Sequence, residues 1–407
     1  MPSSDHDTDH TSELKKAVAL RAVCICAFFS LGHLQMIALS VPLWGGSLGF
    51  SAAIMGVAMA SRSLLPLVYS IHIGSLMDGL GVRRVLRVAA LLGVILPLMH
   101  PVLPYTGALV VLQTVLGFTS AMCWLGAQTA IGQLAGNNRR HTTRFSLSAA
   151  AGLMVGPVLF GLVWQHLGAI AGFTLLSLWG SGTLLAVSYL RALPGSDTSQ
   201  PSPPRSFRRL VLPDPAAYAV AMRLMFTAAG AYLVIFSMLR LAGITIQESF
   251  YPVLLQDMGY SAGLIGALVG LGNLASLPAS MLSEHWSRLW GGDGRALAIA
   301  ISLSLSAMAA TPLLTSLPLL LLGAIVFGFG VGASMPGILN LMSSRLPLQE
   351  QGVAAGLRAT ANRLAAFALP LAMGLLVEIF GIAAGFWMVG GGLICATALA
   401  GFAARHI

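Results

Sequence analysis

Charged side chains are scarce in this sequence. Of its 407 residues only 9% are charged, whereas 57% are hydrophobic and the mean hydropathy is +0.84. A soluble domain carries about a quarter charged residues, so the composition excludes an ordinary soluble protein and predicts a chain that crosses a lipid bilayer many times. The net charge of +9 can mark nucleic-acid binding. In a chain this apolar we attribute it to loops that face anionic lipid, and we expect no nucleic-acid partner.

Cysteine is nearly absent as well. The chain has four cysteines, too few for a disulfide framework. Cys24 and Cys26 have no histidine or cysteine at ligand spacing, and Cys123 and Cys395 fall in separate apolar runs. We also find no nucleophile–base pair, metal-ligand set or phosphate-binding loop. The sequence therefore predicts no enzyme activity, no metal site and no cofactor.

What the sequence does contain is a series of twelve apolar runs. A helix of about 20 residues crosses the ~30 Å hydrocarbon core, and runs of this length lie near 18–43, 51–74, 85–104, 107–132, 144–167, 170–191, 218–246, 258–283, 295–314, 318–342, 351–376 and 382–403. The first run is longer than the apolar core of a signal peptide, so we expect it to be a span that is not cleaved off.

A polar, proline-rich stretch separates the sixth run from the seventh and predicts a linker. We therefore predict an all-α membrane protein with twelve transmembrane helices in two pseudosymmetric six-helix bundles. The predicted parts are a cytoplasmic tail at 1–17, a first bundle at 18–191, a cytoplasmic linker at 192–217 and a second bundle at 218–407.

The basic residues fall on one side of this arrangement. The segments between alternate spans contain Arg83, Arg139 and Arg288 among many others, whereas the remaining loops hold only acids such as Asp257 and Glu378. Basic loops stay in the cytoplasm. We therefore expect a multi-pass protein with both termini cytoplasmic, in the inner membrane of a bacterium, and we expect it to be a monomer.

The two halves repeat each other. Three patterns, P-x6-G-[FY]-S-A-x3-G, G-F-x7-G and P-x3-G-L-x5-G, begin at residues 42, 117 and 157, and again in the same order at 252, 328 and 370. Preserved order at a nearly constant spacing indicates two homologous bundles in parallel orientation. A solute cavity is then expected at their interface, near the middle of the membrane.

The loop after the second span has an unusual composition. Its sequence at 74–84, GSLMDGLGVRR, puts one acid, three glycines and two arginines next to hydrocarbon, where an acid is costly unless it is paired. The spacing G-x-L-x-D-x-x-G-x-R-R resembles the loop between helices 2 and 3 of the major facilitator superfamily of secondary transporters. The resemblance implies a cytoplasmic gate held closed by Asp78 bonded to Arg358 of the eleventh span. The predicted gating residues are Gly74, Asp78, Gly81, Arg83, Arg84 and Arg358.

The fifth span carries the pattern G-x3-G-P-x3-G, formed by Gly152, Gly156, Pro157 and Gly161. Small residues on successive turns let helices approach closely, and the proline allows a kink. The pattern resembles the fifth-helix motif of drug–proton antiporters and so implies efflux, although helix packing explains it almost as well. Gln113 stands where that family has an arginine linked to proton transfer, which weakens the case for proton coupling.

Charges inside the spans are the remaining signal. Arginine at membrane depth usually faces a polar cavity, so Arg62, Arg240 and Arg363 predict a cavity for an anionic or zwitterionic solute, with Glu248 able to neutralise one arginine. The alternative is that some of them pair internally or reach the interface. The full set of predicted solute-binding residues is Arg62, Arg240, Arg363, Asn362, His33, Gln35, Trp124, Gln128, Asn273 and Glu248.

These observations predict a secondary active transporter that moves a small organic solute by alternating access. Export is the first hypothesis, as an antiporter with protons as coupling ion, and His33 is the proton-carrying candidate of the first half. Uptake or exchange of an organic anion is the alternative within transport. From another class, the chain could be a non-transporting receptor or a lipid-handling scaffold. The expected partners are the solute, protons and the lipid bilayer.

Overall fold

The computed structural model describes residues 4–135, 138–190, 223–345 and 348–403. Side chains of residues 4–13, 15, 70–76, 78, 79 and 348–353 lie outside this description. The predicted linker at 192–217 falls outside the described residues. The predicted tail at 1–17 overlaps the first helix, which begins at Ser4.

The described residues form twelve α-helices and one short 3₁₀ helix, Thr311–Leu313. The α-helices are α1 Ser4–Ser47, α2 Ala52–Leu80, α3 Val82–Val102, α4 Thr106–Ala135, α5 Arg139–Ser188, α6 Ala228–Asp257, α7 Ala262–Met281, α8 Ser283–Leu289, α9 Asp293–Ala310, α10 Leu317–Arg345, α11 Leu348–Phe380 and α12 Ile382–Ala403.

Eleven of these helices are long and apolar enough to cross a membrane, and α5 is long enough to cross it twice. Its 50 residues would extend about 75 Å as a straight helix. They are divided at Gly168, whose φ of 81° is non-helical and favours glycine. The fifth and sixth predicted spans are therefore the two arms of α5. The prediction of an all-α membrane fold with two repeated six-helix halves is confirmed.

The predicted limits of the seventh span were wrong by about three turns. The apolar run suggested an end near residue 246, but α6 continues through Gln247, Glu248 and Pro252 to Asp257. Polar side chains at the protein interior do not interrupt a helix whose backbone bonds are satisfied internally. A short unpredicted helix, α8, also lies between α7 and α9.

The repeated pattern P-x6-G-[FY]-S-A-x3-G forms the same turn in both halves. Gly49 after α1 and Gly259 after α6 have φ values of 67° and 84°, in the left-handed region that favours glycine. The amides of Phe50 and Tyr260 then bond to carbonyls five residues earlier, at 2.9 Å in each case. The two helices that open the halves thus end in the same way.

The serine of the pattern begins the next helix. Ser51 and Ser261 precede α2 and α7, and each side chain accepts a hydrogen bond of 3.4 Å from the amide three residues later. This is the usual role of serine at a helix N-terminus. Each half therefore opens with a helical hairpin of defined geometry.

The glycine that ends the pattern holds the two halves together. A Cβ atom at Gly56 of α2 would collide with the carbonyl of Pro370 in α11, and one at Gly266 of α7 would collide with the carbonyl of Pro157 in α5. The halves therefore meet along two equivalent crossings, α2 with α11 and α5 with α7. The prolines and glycines of the third repeated pattern supply the other side of each crossing.

The contacts between the halves concentrate at one membrane face. We call it the arginine-poor face and define it by the loops 48–51 and 258–261. There the amide of Ala53 donates to Glu378 at 3.2 Å, and that of Gly263 donates to Gln165 at 3.1 Å. Among the described residues, the hydrogen bond between the halves that lies deepest joins Asn273 to a carbonyl of α5 at 3.0 Å. The halves are thus closed on this side.

The opposite, arginine-rich face carries Arg83, Arg139 and Arg288. Here α4 and α10 make no extended contact in the described residues. Gly132 near the end of α4 and Gly356 near the start of α11 have open space where a Cβ atom would be. Among the described residues, the halves are therefore packed less closely toward the arginine-rich face than toward the arginine-poor face.

Candidate functional site

Three charged side chains from both halves share the interface. Arg62 comes from α2, Glu248 from α6 and Arg363 from α11, and each is partly buried. The carboxylate of Glu248 lies within electrostatic range of both guanidinium groups. Among the described residues, however, no hydrogen bond or ion pair joins Glu248 to Arg62 or to Arg363. We call this arrangement the central charge cluster; its two positive charges and one negative charge leave one positive charge in excess.

Asn362 adds a polar atom beside this cluster. It precedes Arg363 on α11, and its Oδ1 atom is buried with no hydrogen-bond partner in the described part of the chain. A buried acceptor without a donor costs about 1–3 kcal/mol. Such an atom is satisfied when a ligand or a water donates to it.

Arg240 is held in place by α10. Its Nε donates to Ser334 at 3.1 Å and its Nη2 donates to the carbonyl of Val331 at 3.3 Å. Arg358 of α11 lies within electrostatic range of Arg240, and its Nε is buried without a partner among the described residues. These two arginines form a second positive group on the side of the arginine-rich face.

The predicted gate lies at the junction of α2 and α3. Gly81 separates the two helices with a φ of 84°, and its amide bonds to Met77 at 2.9 Å. Arg83 donates to the carbonyl of Ser188 at 3.2 Å, which fixes this loop to the end of α5, whereas Arg84 is exposed. Gly74 lies within α2, and the side chain of Asp78 lies outside the described set, so the pairing of Asp78 with Arg358 stays a prediction.

The fifth-span motif packs in two directions. A Cβ atom at Gly152 would collide with a carbonyl of α1, and one at Gly156 would lie 2.9 Å from another carbonyl of the same helix. One at Gly161 would collide with α7 of the other half, whose Gly266 lies against Pro157. The motif therefore sets how closely α1 and α7 approach this helix.

His33 lies apart from the central charge cluster. It is buried inside the first bundle, where a Cβ atom at Gly93 of α3 or Gly180 of α5 would be 3.3 or 3.4 Å from its ring. Its Nε2 atom has no hydrogen-bond partner in the described structure. Gln35 is also buried, two residues along α1 and hence about 200° around the helix.

The other predicted liners have separate surroundings. Trp124 stacks on Phe145 with ring centroids 5.7 Å apart, and Gln128, one turn later on α4, is exposed. The side-chain amide of Asn273 donates the hydrogen bond between the halves described above. The structure thus brings Arg62, Glu248 and Arg363 together, with Asn362 as neighbour, and leaves Trp124 and Gln128 outside this group.

One polar pair was missed in the sequence. His100 of α3 and Gln113 of α4 are fully buried and bond to each other at 3.1 Å. The signal was available, because both residues interrupt apolar runs on either side of the short loop that joins consecutive antiparallel helices. Gln113 thus has a bonding role inside the first bundle.

A sequence model of the family described as Major Facilitator Superfamily matches residues 23–246 and again residues 233–406. No curated protein sequence matches the chain. Solved structures that are similar to this one include those of several transporters.

The nucleoside transporter NupG is 16% identical with a TM-score of 0.71, over 95% of this chain and 98% of that one. A bacterial homologue of the human lysosomal transporter Spinster, in an inward-facing and unoccupied conformation, is 12% identical with a TM-score of 0.73, over 96% and 97%. A POT family transporter in complex with 5-aminolevulinic acid is 15% identical with a TM-score of 0.70, over 93% and 94%. Identities this low show a shared fold.

Proposed function

The chain belongs to the Major Facilitator Superfamily, and from this premise we propose that it transports a small organic anion or zwitterion by alternating access. Family and fold mark a secondary transporter rather than an enzyme. The observation that carries the choice of solute is the central charge cluster, in which Arg62 and Arg363 from opposite halves flank one acid, Glu248.

The chemistry of this cluster favours a carboxylate or a phosphate. A guanidinium group offers a forked set of donors that matches such anions, and burying two of them is costly without a counter-charge. Glu248 supplies one negative charge for two positive ones. A bound anion supplies the second, whereas a lipophilic cation would add to the excess. The fold accommodates ligands of this class, since the structural neighbour above was solved with 5-aminolevulinic acid.

Both halves contribute to the central charge cluster, so its geometry depends on the relative orientation of the two halves. The glycine crossings at Gly56 and Gly266 close the arginine-poor face. In the opposite state we propose that Asp78 pairs with Arg358 and closes the arginine-rich face. A solute between Arg62 and Arg363 would offset the cost of burying them and so favour passage through the closed intermediate.

Glu248 sets the expected coupling to protons. When Glu248 is protonated, its charge no longer competes for the arginines, and an anion binds more tightly. Proton and anion then bind together, which is the thermodynamic requirement for cotransport. We therefore favour cotransport of the anion with a proton, the uptake alternative from the sequence, over proton-driven export.

Export remains the second candidate, and the fifth-span motif supports it. In that case the solute would be a zwitterion whose ammonium group pairs with Glu248. Protonation of Glu248 would then expel the solute, as antiport requires. The two candidates make opposite predictions for one residue.

The deciding experiment uses the purified full chain. A thermal-shift screen with anionic, zwitterionic, neutral and cationic solutes first identifies a ligand. Its affinity is then measured between about pH 5 and pH 8, where a buried carboxyl group can change its charge. Binding that becomes tighter at low pH supports cotransport, provided that this pH dependence is lost in Glu248→Gln. Binding that becomes weaker at low pH supports export. Stabilisation by cations alone would contradict the proposal.

We propose that the arginine-rich face is cytoplasmic and that the membrane is the inner membrane of a bacterium. The distribution of arginine supports this orientation. A cysteine placed at Arg140 should be inaccessible to an impermeant thiol reagent in intact cells, whereas one at His166 should react. Labelling of the Arg140 position from outside would reverse the topology.

A further inference from the structure

The positive charges of the second half lie at two depths. Helices α6 and α11 both begin at the arginine-rich face, so they run in the same direction. Arg240 precedes Glu248 by eight residues, and Arg358 precedes Arg363 by five. At 1.5 Å per residue, these steps are about 12 Å and about 7.5 Å along the helices. A second level of charge therefore lies roughly 10 Å below the central charge cluster.

The lower level consists of Arg240 and Arg358. Two like charges within range of each other are unfavourable in a partly buried site unless an anion compensates them. The described residues place no carboxylate beside them. Arg240 spends donors on Ser334 and Val331 of α10, and these neutral partners leave its charge uncompensated. The Nε of Arg358 is buried without a partner.

On the basis of the proposed function, we propose that the solute is elongated and carries two anionic groups about 10 Å apart. One group binds between Arg62 and Arg363, and the other binds at Arg240 and Arg358. Asn362 lies one turn beyond Arg358 on the same face of α11, since four residues are about one helical turn. Its unpartnered Oδ1 would accept a hydrogen bond from a donor in the middle of the solute.

This assignment links the solute to the gate. Arg358 is also the proposed partner of Asp78 when the arginine-rich face closes. An anionic group at Arg358 and the carboxylate of Asp78 compete for the same guanidinium. A solute with two anionic groups would therefore hold the protein open to the arginine-rich face longer than one with a single group.

The test is a length series of linear dicarboxylates, from succinate through adipate and suberate to sebacate, bound to the purified full chain. With bonds near 1.5 Å, the carboxylates of extended suberate lie about 10 Å apart. We expect suberate or sebacate to bind at least tenfold more tightly than succinate, and at least tenfold more tightly than octanoate, which has one carboxylate. Arg358→Gln should reduce the difference between suberate and octanoate to less than twofold. Arg140→Gln, an exposed arginine changed in the same way, should preserve it.

The series on the unmodified protein is decisive even if a variant does not fold. Equal binding of suberate and octanoate, or binding that does not depend on length, overturns the inference and leaves the proposed transport of anions in place. If no carboxylate of either kind binds while a cation does, both the inference and the proposed function are wrong.

Discussion

The two halves share a backbone plan but not a set of charges. In the described part of the first half, Arg62 is the charged side chain at mid-membrane depth. The second half holds Arg240, Glu248, Arg358 and Arg363 in its spans. Yet both halves end their first helix with the same turn and cross the partner half at an equivalent glycine. Packing therefore follows the repeat, and chemistry departs from it.

The loops on the arginine-rich face differ as well. In the first half, Arg83 fixes the α2–α3 loop to the end of α5. In the second half, Asp293 at the start of α9 accepts hydrogen bonds from Ser287 and from Asn340 of α10. Each arrangement is confined to its own half. Since four of the five charges described above within the spans belong to the second half, we propose that this half supplies most of the solute site, and that the first half supplies the acid of the gate.

The largest effect should come from the charge that the second half adds at the centre. Arg363→Gln removes donors to the solute, each worth about 1.5–3 kcal/mol when charged, so we expect at least a hundredfold loss of anion binding. Arg363→Lys should be intermediate, because it keeps the charge without the forked geometry. Binding is measured by calorimetry, with Arg140→Gln as control. Unchanged binding in Arg363→Gln would make this arginine structural.

The gate should respond to loss of Asp78 in the first half but not to loss of Asp293 in the second. Asp78→Asn should lower the transport rate about tenfold, between the effects of exposed and buried ion pairs, because Arg358 loses its proposed partner. Asp293→Asn in the second half should change the rate less than twofold. Transport is measured in proteoliposomes with equal amounts of inserted protein. Equal effects of the two variants would contradict the division of roles.

The glycine crossings should respond equally in both halves. Gly56→Ala and Gly266→Ala each place a methyl group against a backbone carbonyl, and overpacking of this kind costs about 1–3 kcal/mol. We expect severalfold slower transport and similar losses of thermal stability. Gly107→Ala, where the space is open, is the matched control. A large difference between Gly56 and Gly266 would show that the crossings are not equivalent.

The smallest effect should come from the Asn273 hydrogen bond, which is found at the crossing of α7 with α5. Asn273→Ala removes the hydrogen bond to Leu153 between α7 and α5, worth about 1 kcal/mol. We expect a small loss of thermal stability and a transport rate within twofold of the original. A loss of solute binding would instead place Asn273 in the solute site.

The sequence predicted the packing better than the site. The lengths of the hydrophobic runs predicted the twelve membrane spans, and the repeated glycines predicted the two halves. Both features could be predicted because span length and close helix approach depend on local composition. The location of His33 inside the first bundle could not be predicted, since which face of α1 meets which helix depends on the assembled bundle. The bond between Asn273 and α5, and the neutral partners of Arg240, depend on contacts between distant segments in the same way.

The shared turn at Gly49 and Gly259 has a consequence for how the protein is made. A helical hairpin whose turn is fixed by its own glycine and serine can form as soon as both helices leave the ribosome. Each half begins with such a hairpin, so each can enter the bilayer without waiting for the other. The glycine crossings need both halves, so we expect them to form after both have been inserted. We therefore expect biogenesis to consist of two similar insertion events followed by one docking step.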